Sequence, residues 1–132
     1  MLVDTNVLID VLANDPEWAD WSIEQLRAQS RVHRLVINPV IYAELALTFS
    51  SVEALDAALD GMALQVLEIP KPALFLAGKA FAKYRKTGGV KHSVLSDFFI
   101  GAHAAVAGLP LLTRDVRRYA HYFPSLRLVA PQ

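Results

Sequence analysis

No cysteine occurs among the 132 residues. That excludes disulfides and thiolate metal sites, and it suits a cytoplasmic protein. No apolar run approaches the roughly 18–20 residues of a membrane-spanning helix, so no membrane association is expected. The opening Met1-Leu2-Val3-Asp4 has no basic stretch and meets a charge at once, which argues against a secretory signal. There is no internal repeat, low-complexity tract or interdomain linker. The length predicts one domain, residues 1–132, with one core. No G-x-G-x-x-G follows a candidate strand, so a nucleotide-cofactor site has no support. Acids are scarce in one half of the chain. Residues 1–68 carry eleven Asp/Glu and three Lys/Arg; residues 69–132 carry ten Lys/Arg and only two acids, Asp97 and Asp115. Net charge is zero, so the whole molecule is not a generic polycation. The asymmetry still points to an anionic partner.

Apolar residues, by contrast, are plentiful. A hydrophobic fraction of 54% and a mean hydropathy of +0.31 leave apolar surface for a partner or a second subunit. Short strands are expected at residues 2–5, 35–37, 64–69, 111–113 and 127–129, those at 2–5 and 111–113 buried. Helices alternate with them. Asn6 caps a helix over 7–12. Asp15-Pro16-Glu17 starts one that runs to about Gln29. Asn38-Pro39 opens the next. Ser50 with Glu53 forms a capping box for a helix that ends near Gly61. Residues 72–87 form a helix stopped by Gly88-Gly89. Ser96 caps a helix over 97–107, ended by Gly108. The alternation implies an α/β fold with a mostly parallel central sheet flanked by helices.

Four acids sit in or beside apolar stretches, where a carboxylate is costly unless paired or bound to a metal. Asp4 follows Met1-Leu2-Val3. Glu44 interrupts Val40-Ile41-Tyr42-Ala43 and Leu45-Ala46-Leu47. Asp97 precedes Phe98-Phe99-Ile100. Asp115 follows Leu111-Leu112-Thr113-Arg114. None has an equally placed Lys or Arg partner in the sequence, which suggests a shared cation. Asp4 and Asp115 fall at or just after carboxyl ends of strands, where open parallel sheets place ligands. Glu44 and Asp97 fall in first turns of helices, so all four can meet at one edge. Two carboxylates about 4 Å apart repel by roughly 4 kcal/mol at an effective dielectric near 20. All-oxygen ligands without thiols favour Mg²⁺ or Mn²⁺ over Zn²⁺. Such a site can activate water and stabilise the leaving oxygen of a phosphodiester. Lys79, Lys83, Arg85, Lys86, Lys91, Arg114, Arg117 and Arg118 form a basic flank that can hold a nucleic-acid backbone.

Taken singly, each residue has a plainer explanation. Asp4 can be a strand-end cap, Glu44 a partly exposed helix acid, Asp97 a partner of its helix dipole, and Asp115 a turn cap. The basic run over 79–86 can be a solvated helix face. His33, His92, His103 and His121 lack metal-ligand spacing and are assigned no chemistry. His103, on the helix of Asp97, reads as a packed residue.

The order of the motifs resembles that of PIN-domain nucleases. Val3-Asp4-Thr5-Asn6-Val7-Leu8-Ile9-Asp10 looks like their opening strand. Asn38-Pro39-Val40-Ile41-Tyr42-Ala43-Glu44-Leu45 resembles the second motif. Ser96-Asp97-Phe98-Phe99-Ile100-Gly101-Ala102-His103-Ala104 resembles the third, with His103 where small residues are common. Leu111-Leu112-Thr113-Arg114-Asp115, followed by Tyr119 and Tyr122-Phe123-Pro124, resembles the fourth. The likeness spans nearly the whole chain, and it is nearest to the VapC-type toxins of toxin–antitoxin pairs. It implies a single PIN-like domain and a Mg²⁺- or Mn²⁺-dependent endoribonuclease that acts on RNA. It also implies a homodimer and inhibition by a cognate antitoxin protein. Carried over, Asp4, Glu44, Asp97 and Asp115 are the metal-binding catalytic acids, with Asn6 and Thr113 in support. The basic flank assigns RNA binding to Lys83, Arg85, Lys86 and Arg114.

Two rivals remain at the level of sequence. One is a non-cleaving module on the same fold that binds RNA or a partner; a cleavage assay separates it. The other is an aspartyl-phosphate phosphatase, since Asp4-Thr5-Asn6 superficially resembles the nucleophile loop of haloacid-dehalogenase-like enzymes. Those enzymes usually place a second Asp where Asn6 stands, and phosphate trapped on Asp4 would identify one.

Overall fold

The computed structural model describes residues 1–91 and 94–132. The reading of His92 as chemically uninvolved therefore lies outside the described residues. The chain runs β1 (Leu2–Val3), α1 (Thr5–Leu12), α2 (Ala19–Ser30), β2 (Val36–Ile37), α3 (Pro39–Ala46), α4 (Val52–Gly61) and β3 (Gln65–Val66). It continues through α5 (Lys71–Lys86), α6 (Leu95–Ala107), β4 (Leu111–Leu112), α7 (Arg117–Tyr122) and β5 (Leu128–Val129). The sheet has five strands in the order β3-β2-β1-β4-β5, all parallel, with Leu2 registered on both Val36 and Leu111.

This order positions the site. From β1 the chain winds outward through β2 to β3, then crosses back and places β4 on the other side of β1. The carboxyl ends of β1 and β4 are thus neighbours whose following segments diverge. A crevice opens at such a switch point. Leu2, Val3, Leu111 and Leu112 are fully buried, as expected of parallel strands covered on both faces. Ile37, Ile41, Leu45, Phe98, Ile100 and Tyr119 complete the centre of the core. Helix α6 buries Phe98, Ile100, Gly101, Ala102, His103 and Ala104 and packs on α3, α5 and α7.

Several element ends differ from the sequence reading. Each strand has two residues; after β1 and β2 the chain passes to helix almost at once. Asp4, not Asn6, caps α1: its backbone is extended and its carboxylate accepts the Thr5 N–H at 2.7 Å. Asn6 lies inside that helix. Ser51, not Ser50, caps α4 by accepting the Ala54 N–H at 3.1 Å. Asp15 makes its expected capping contacts to the N–H groups of Glu17 and Trp18, both at 2.9 Å, but α2 becomes regular only at Ala19. Helix α6 begins before Ser96, whose hydroxyl is used elsewhere. Helix α7 is an addition to the expected elements. Gly108 ends α6 with a φ of 66°, the left-handed conformation that favours glycine. Among the described residues, no helix is long and apolar enough to cross a membrane.

A candidate four-acid active site

Asp4, Glu44, Asp97 and Asp115 all line one cavity of about 300 Å³, with Thr5, Asn6, Ile9 and Arg114 around them. Four residues spread over 111 positions of sequence meet at one sheet edge. Asp4 directly follows β1, Asp97 lies in the first turn of α6, and Asp115 lies between β4 and α7. Glu44, expected in the first turns of its helix, lies in the last turn of α3. Their environments are graded. Asp4 is buried, Glu44 and Asp97 are half-buried, and Asp115 is exposed. The expectation that all four are deep in apolar surroundings therefore holds only for Asp4. The other three take their apolar sequence neighbours from core positions such as Leu45, Phe98 and Leu112, while their own side chains turn to the crevice.

Asp4 is the most elaborately held. Its Oδ2 accepts hydrogen bonds from the Thr113 hydroxyl (2.7 Å), the Tyr119 hydroxyl (3.0 Å) and Asn6 Nδ2 (3.3 Å). Thr113 in turn accepts the Asp115 N–H at 3.0 Å. One hydroxyl therefore ties the acid after β1 to the backbone after β4. Asn6 adds a second tie, accepting the Arg114 N–H at 3.2 Å. Burial nevertheless dominates over these bonds and raises the Asp4 carboxyl to a pKa of about 6; the charge of Asp97 pushes the same way. The Tyr119 hydroxyl is raised well above its ordinary range, first by burial and then by the Asp4 charge. It stays protonated and remains a donor.

Glu44 bridges two helix starts. Its Oε1 accepts from the Thr5 hydroxyl at 2.6 Å and its Oε2 from the Ser96 hydroxyl at 3.2 Å. The helix that carries it is pinned from behind. Asn38 caps α3 through the Ile41 N–H at 2.9 Å, and its Nδ2 lies 3.2 Å from Nδ1 of the buried His103. Burial lowers the His103 pKa, which favours the neutral ring that can accept from Asn38. His103 is thus a packed, positioning residue, consistent with its sequence reading.

Asp97 corrects another expectation. It does have a cationic partner: Arg118 Nη1 donates to its Oδ2 at 2.6 Å. Burial still raises the Asp97 pKa, offset by Arg118 and reinforced by the charges of Asp115 and Glu44. Arg114, expected to hold RNA phosphate, lines the acid cavity and makes a bidentate pair with buried Asp10 at 2.6 and 2.8 Å, lying over the Trp18 ring at 5.2 Å. Ser22 donates to the same Asp10 at 2.7 Å. The Arg114 charge is committed to joining α1, α2 and the segment after β4. Lys83, Arg85 and Lys86 lie exposed in the last turn of α5, outside the cavity wall.

Among the described residues, no three acids or histidines stand together as a finished metal-ligand set. The carboxylates of Asp4, Glu44 and Asp97 are engaged instead by hydroxyl, amide or guanidinium donors. The donor set nonetheless suits a hard divalent cation. It consists of oxygens alone, concentrates negative charge in one cavity, and includes a carboxyl whose ionisation is held back by burial and a neighbouring acid. A cation there would offset the charge that the protein leaves under-compensated.

What the sequence did not show is the pairing: Thr5 and Ser96 with Glu44, Arg118 with Asp97, Tyr119 with Asp4, and Arg114 with Asp10. A hydroxyl residue adjoins two of the acids, in Asp4-Thr5 and Ser96-Asp97, which was a usable hint. Tyr119 stands four residues after Asp115, at helical spacing, but only the unanticipated α7 gives that spacing meaning.

Comparison with known proteins agrees with this architecture. No curated protein matches the chain significantly. Solved structures do. VapBC-1 from nontypeable Haemophilus influenzae is 22% identical, with a TM-score of 0.72, over 98% of this chain and 96% of that one. DNA-bound VapBC from Salmonella typhimurium is 25% identical, with a TM-score of 0.70 and the same coverages of 98% and 96%. A toxin-antitoxin complex from Klebsiella pneumoniae is 21% identical, with a TM-score of 0.66, over 97% and 94%. The PIN domain model matches residues 1–123, a span that contains all four acids and every strand but the last, and the chain belongs to the PIN-domain family.

Proposed function

We propose that this protein is a divalent-metal-dependent endoribonuclease that hydrolyses RNA phosphodiester bonds, and that it is the toxin of a toxin–antitoxin pair. One observation carries the reading: four carboxylates from β1, α3, α6 and the segment after β4 line a single cavity at the sheet's switch point. Asp4, Glu44, Asp97 and Asp115 would hold Mg²⁺ or Mn²⁺. When bound, such an ion supplies Lewis acidity toward a phosphoryl oxygen and lowers the pKa of water. The chain's own residues supply orientation. Thr113, Tyr119 and Asn6 fix the Asp4 carboxylate, and Thr5 and Ser96 fix Glu44. Arg118 brings a positive charge against Asp97, beside the cavity, where an RNA phosphate would approach.

The antitoxin partner follows from the relatives. Two of the similar structures are VapBC complexes and a third is a toxin-antitoxin complex. They support a cognate antitoxin as the binding partner here. The exposed apolar residues of the chain support a homodimer as the working unit. The expected outcome is that the purified protein, freed of any antitoxin, cleaves single-stranded RNA with Mg²⁺ or Mn²⁺ and stops on addition of EDTA. Asp97→Asn lowers kcat by at least about a hundredfold, roughly 3 kcal/mol of barrier. A folded Asp4→Asn, Asp97→Asn double variant that cuts at the wild-type rate would refute the mechanism.

A further inference from the structure

A second cavity adjoins the acids. It has a volume of about 370 Å³ and is lined by Tyr84, Asp115, Arg117, Arg118, His121 and Tyr122. Asp115 belongs to both cavities, so the two adjoin at one carboxylate. Apart from Asp115, every side chain here is a cation or an aromatic ring. That is the combination that grips single-stranded nucleic acid: rings for the base, guanidinium for the phosphate.

The rings are set in advance. Tyr84 and Tyr122 lie 6.2 Å apart at 75°, making a steep corner. Phe98 backs both, at 5.5 Å from Tyr84 and 5.0 Å from Tyr122, and Phe81 stacks on Tyr84 at 5.9 Å. His121 meets Tyr122 edge-on at 4.6 Å and is itself exposed. Rings already locked by packing lose little freedom when a base settles on them. Arg118 stands between the two cavities, with Nη1 on Asp97 at 2.6 Å and its guanidinium 5.9 Å from the Tyr84 ring centroid. Among the described residues the ion pairs are Arg114–Asp10 and Arg118–Asp97. Exposed Arg117 takes part in neither. Lys83 and Lys86 share the last turn of α5 with Tyr84 and extend positive charge beyond this side.

We infer that this cavity is a nucleotide subsite: it holds one base and one phosphate of the RNA strand next to the bond being cut. The inference rests on the nuclease reading and gives the RNA a direction, from the acids past Asp115 toward α7 and the end of α5. His121 and the Tyr84–Tyr122 corner take the base. Arg117 takes the phosphate. The subsite is a more specific RNA contact than the basic run of α5, and it uses a histidine to which the sequence assigned no role.

The test uses the full chain carrying Arg117→Ala and His121→Ala. Both positions are exposed, so the variant is expected to melt at the wild-type temperature. Fluorescence anisotropy with a short labelled single-stranded RNA in EDTA measures binding without cleavage. The double variant binds about tenfold more weakly, and the slope of log affinity against log salt becomes shallower by about 0.7, the change expected when the protein neutralises one phosphate fewer. In steady state with Mn²⁺ its KM rises about tenfold and kcat is retained. Mn²⁺ affinity by calorimetry stays at the wild-type value, since neither residue pairs with an acid in this structure. Unchanged affinity, salt slope and KM in a variant of a protein that does cleave RNA would overturn the subsite and leave the nuclease reading standing. If the wild type neither binds nor cleaves RNA, the nuclease reading fails first and the subsite falls with it.

Discussion

Asp4 accepts hydrogen bonds from three side chains and one backbone N–H, yet its pKa sits near 6 because desolvation outweighs them. A consequence for stability follows with a definite sign. An unfolded aspartate has its ordinary pKa of 3.8. Between about pH 4 and 6 the folded protein holds a proton that the unfolded chain has released. The associated stability is fully present below about pH 4 and is lost as pH rises through 6. Asp4→Asn is neutral at every pH and escapes this loss. In EDTA, its stability relative to wild type therefore increases by on the order of 2 kcal/mol between about pH 4.5 and 7.5, measured by urea unfolding. A flat difference across that range would place the Asp4 pKa near its unfolded value. If the acids hold a divalent ion as proposed, adding Mn²⁺ at neutral pH is expected to raise the melting temperature of wild type more than that of the variant. The acids themselves were legible, because a carboxylate beside core-forming residues is conspicuous in sequence. Their partners were not. Thr5, Ser96 and Tyr119 are ordinary residue types, and Arg114 finds Asp10 across 104 residues. The basic flank was legible as charge, but charge alone could not tell Arg114, spent in an ion pair, from exposed Arg117.

Among the elements, helix ends were the most readable, since capping is local chemistry. Asn38-Pro39 and Gly108 act as expected. The displaced caps, Asp4 for Asn6 and Ser51 for Ser50, come from nearby residues with equal capping ability. Backbone conformation decided between them. Helix α7 was missed because its 6 residues are too few to show a periodicity, and its stability comes from packing Tyr119 and neighbouring Phe123 into the core. That packing depends on Gly101 of α6. A Cβ built there would lie 2.5 Å from the Phe123 ring and 3.1 Å from Tyr119 Cδ1. Gly101→Ala must displace Phe123 or the whole of α7, which carries Arg118 and Tyr119 to the acids. We expect a loss of about 1–3 kcal/mol together with reduced RNA cleavage. Gly78 of α5 has nothing within 4 Å of the equivalent position, so Gly78→Ala should stabilise by about 0.5–1 kcal/mol and leave cleavage intact. Equal thermal shifts for the two variants would contradict the close approach of α6 and α7.

At the scale of the molecule, the alternation of strands and helices revealed a parallel α/β fold, but the order β3-β2-β1-β4-β5 was beyond the sequence. Two-residue strands carry almost no pairing preference of their own, and the pairs join distant segments. The high apolar content was legible as unspent surface, and Leu74, Phe75 and Ala82 were legible as candidates for a dimer face on one helix. The structure locates two patches. One is on α5, where Phe75 is 69% and Leu74 43% exposed. The other spans the α3–α4 junction, where Leu47 is 87% and Val52 61% exposed. An exposed Phe beside Leu on a long helix is the kind of anchor that interfaces bury at their centres, and α5 is the longest helix among those described. Lys79 lies over the Phe75 ring at 5.2 Å and can keep its charge at the rim. If the chain pairs as the homodimer proposed above, α5 is the expected contact, and the α3–α4 patch is then the candidate surface for the proposed antitoxin. Phe75→Glu would bury a charge without a partner at that interface. It should weaken dimerisation by at least about thirtyfold, equivalent to roughly 2 kcal/mol. Leu47→Glu should leave the dimer intact and weaken antitoxin binding. Sedimentation equilibrium at micromolar concentration reads the first effect and calorimetric titration of the antitoxin reads the second. A wild-type protein that sediments only as monomer, or a dimer split by Leu47→Glu and untouched by Phe75→Glu, would reverse this assignment of the two surfaces.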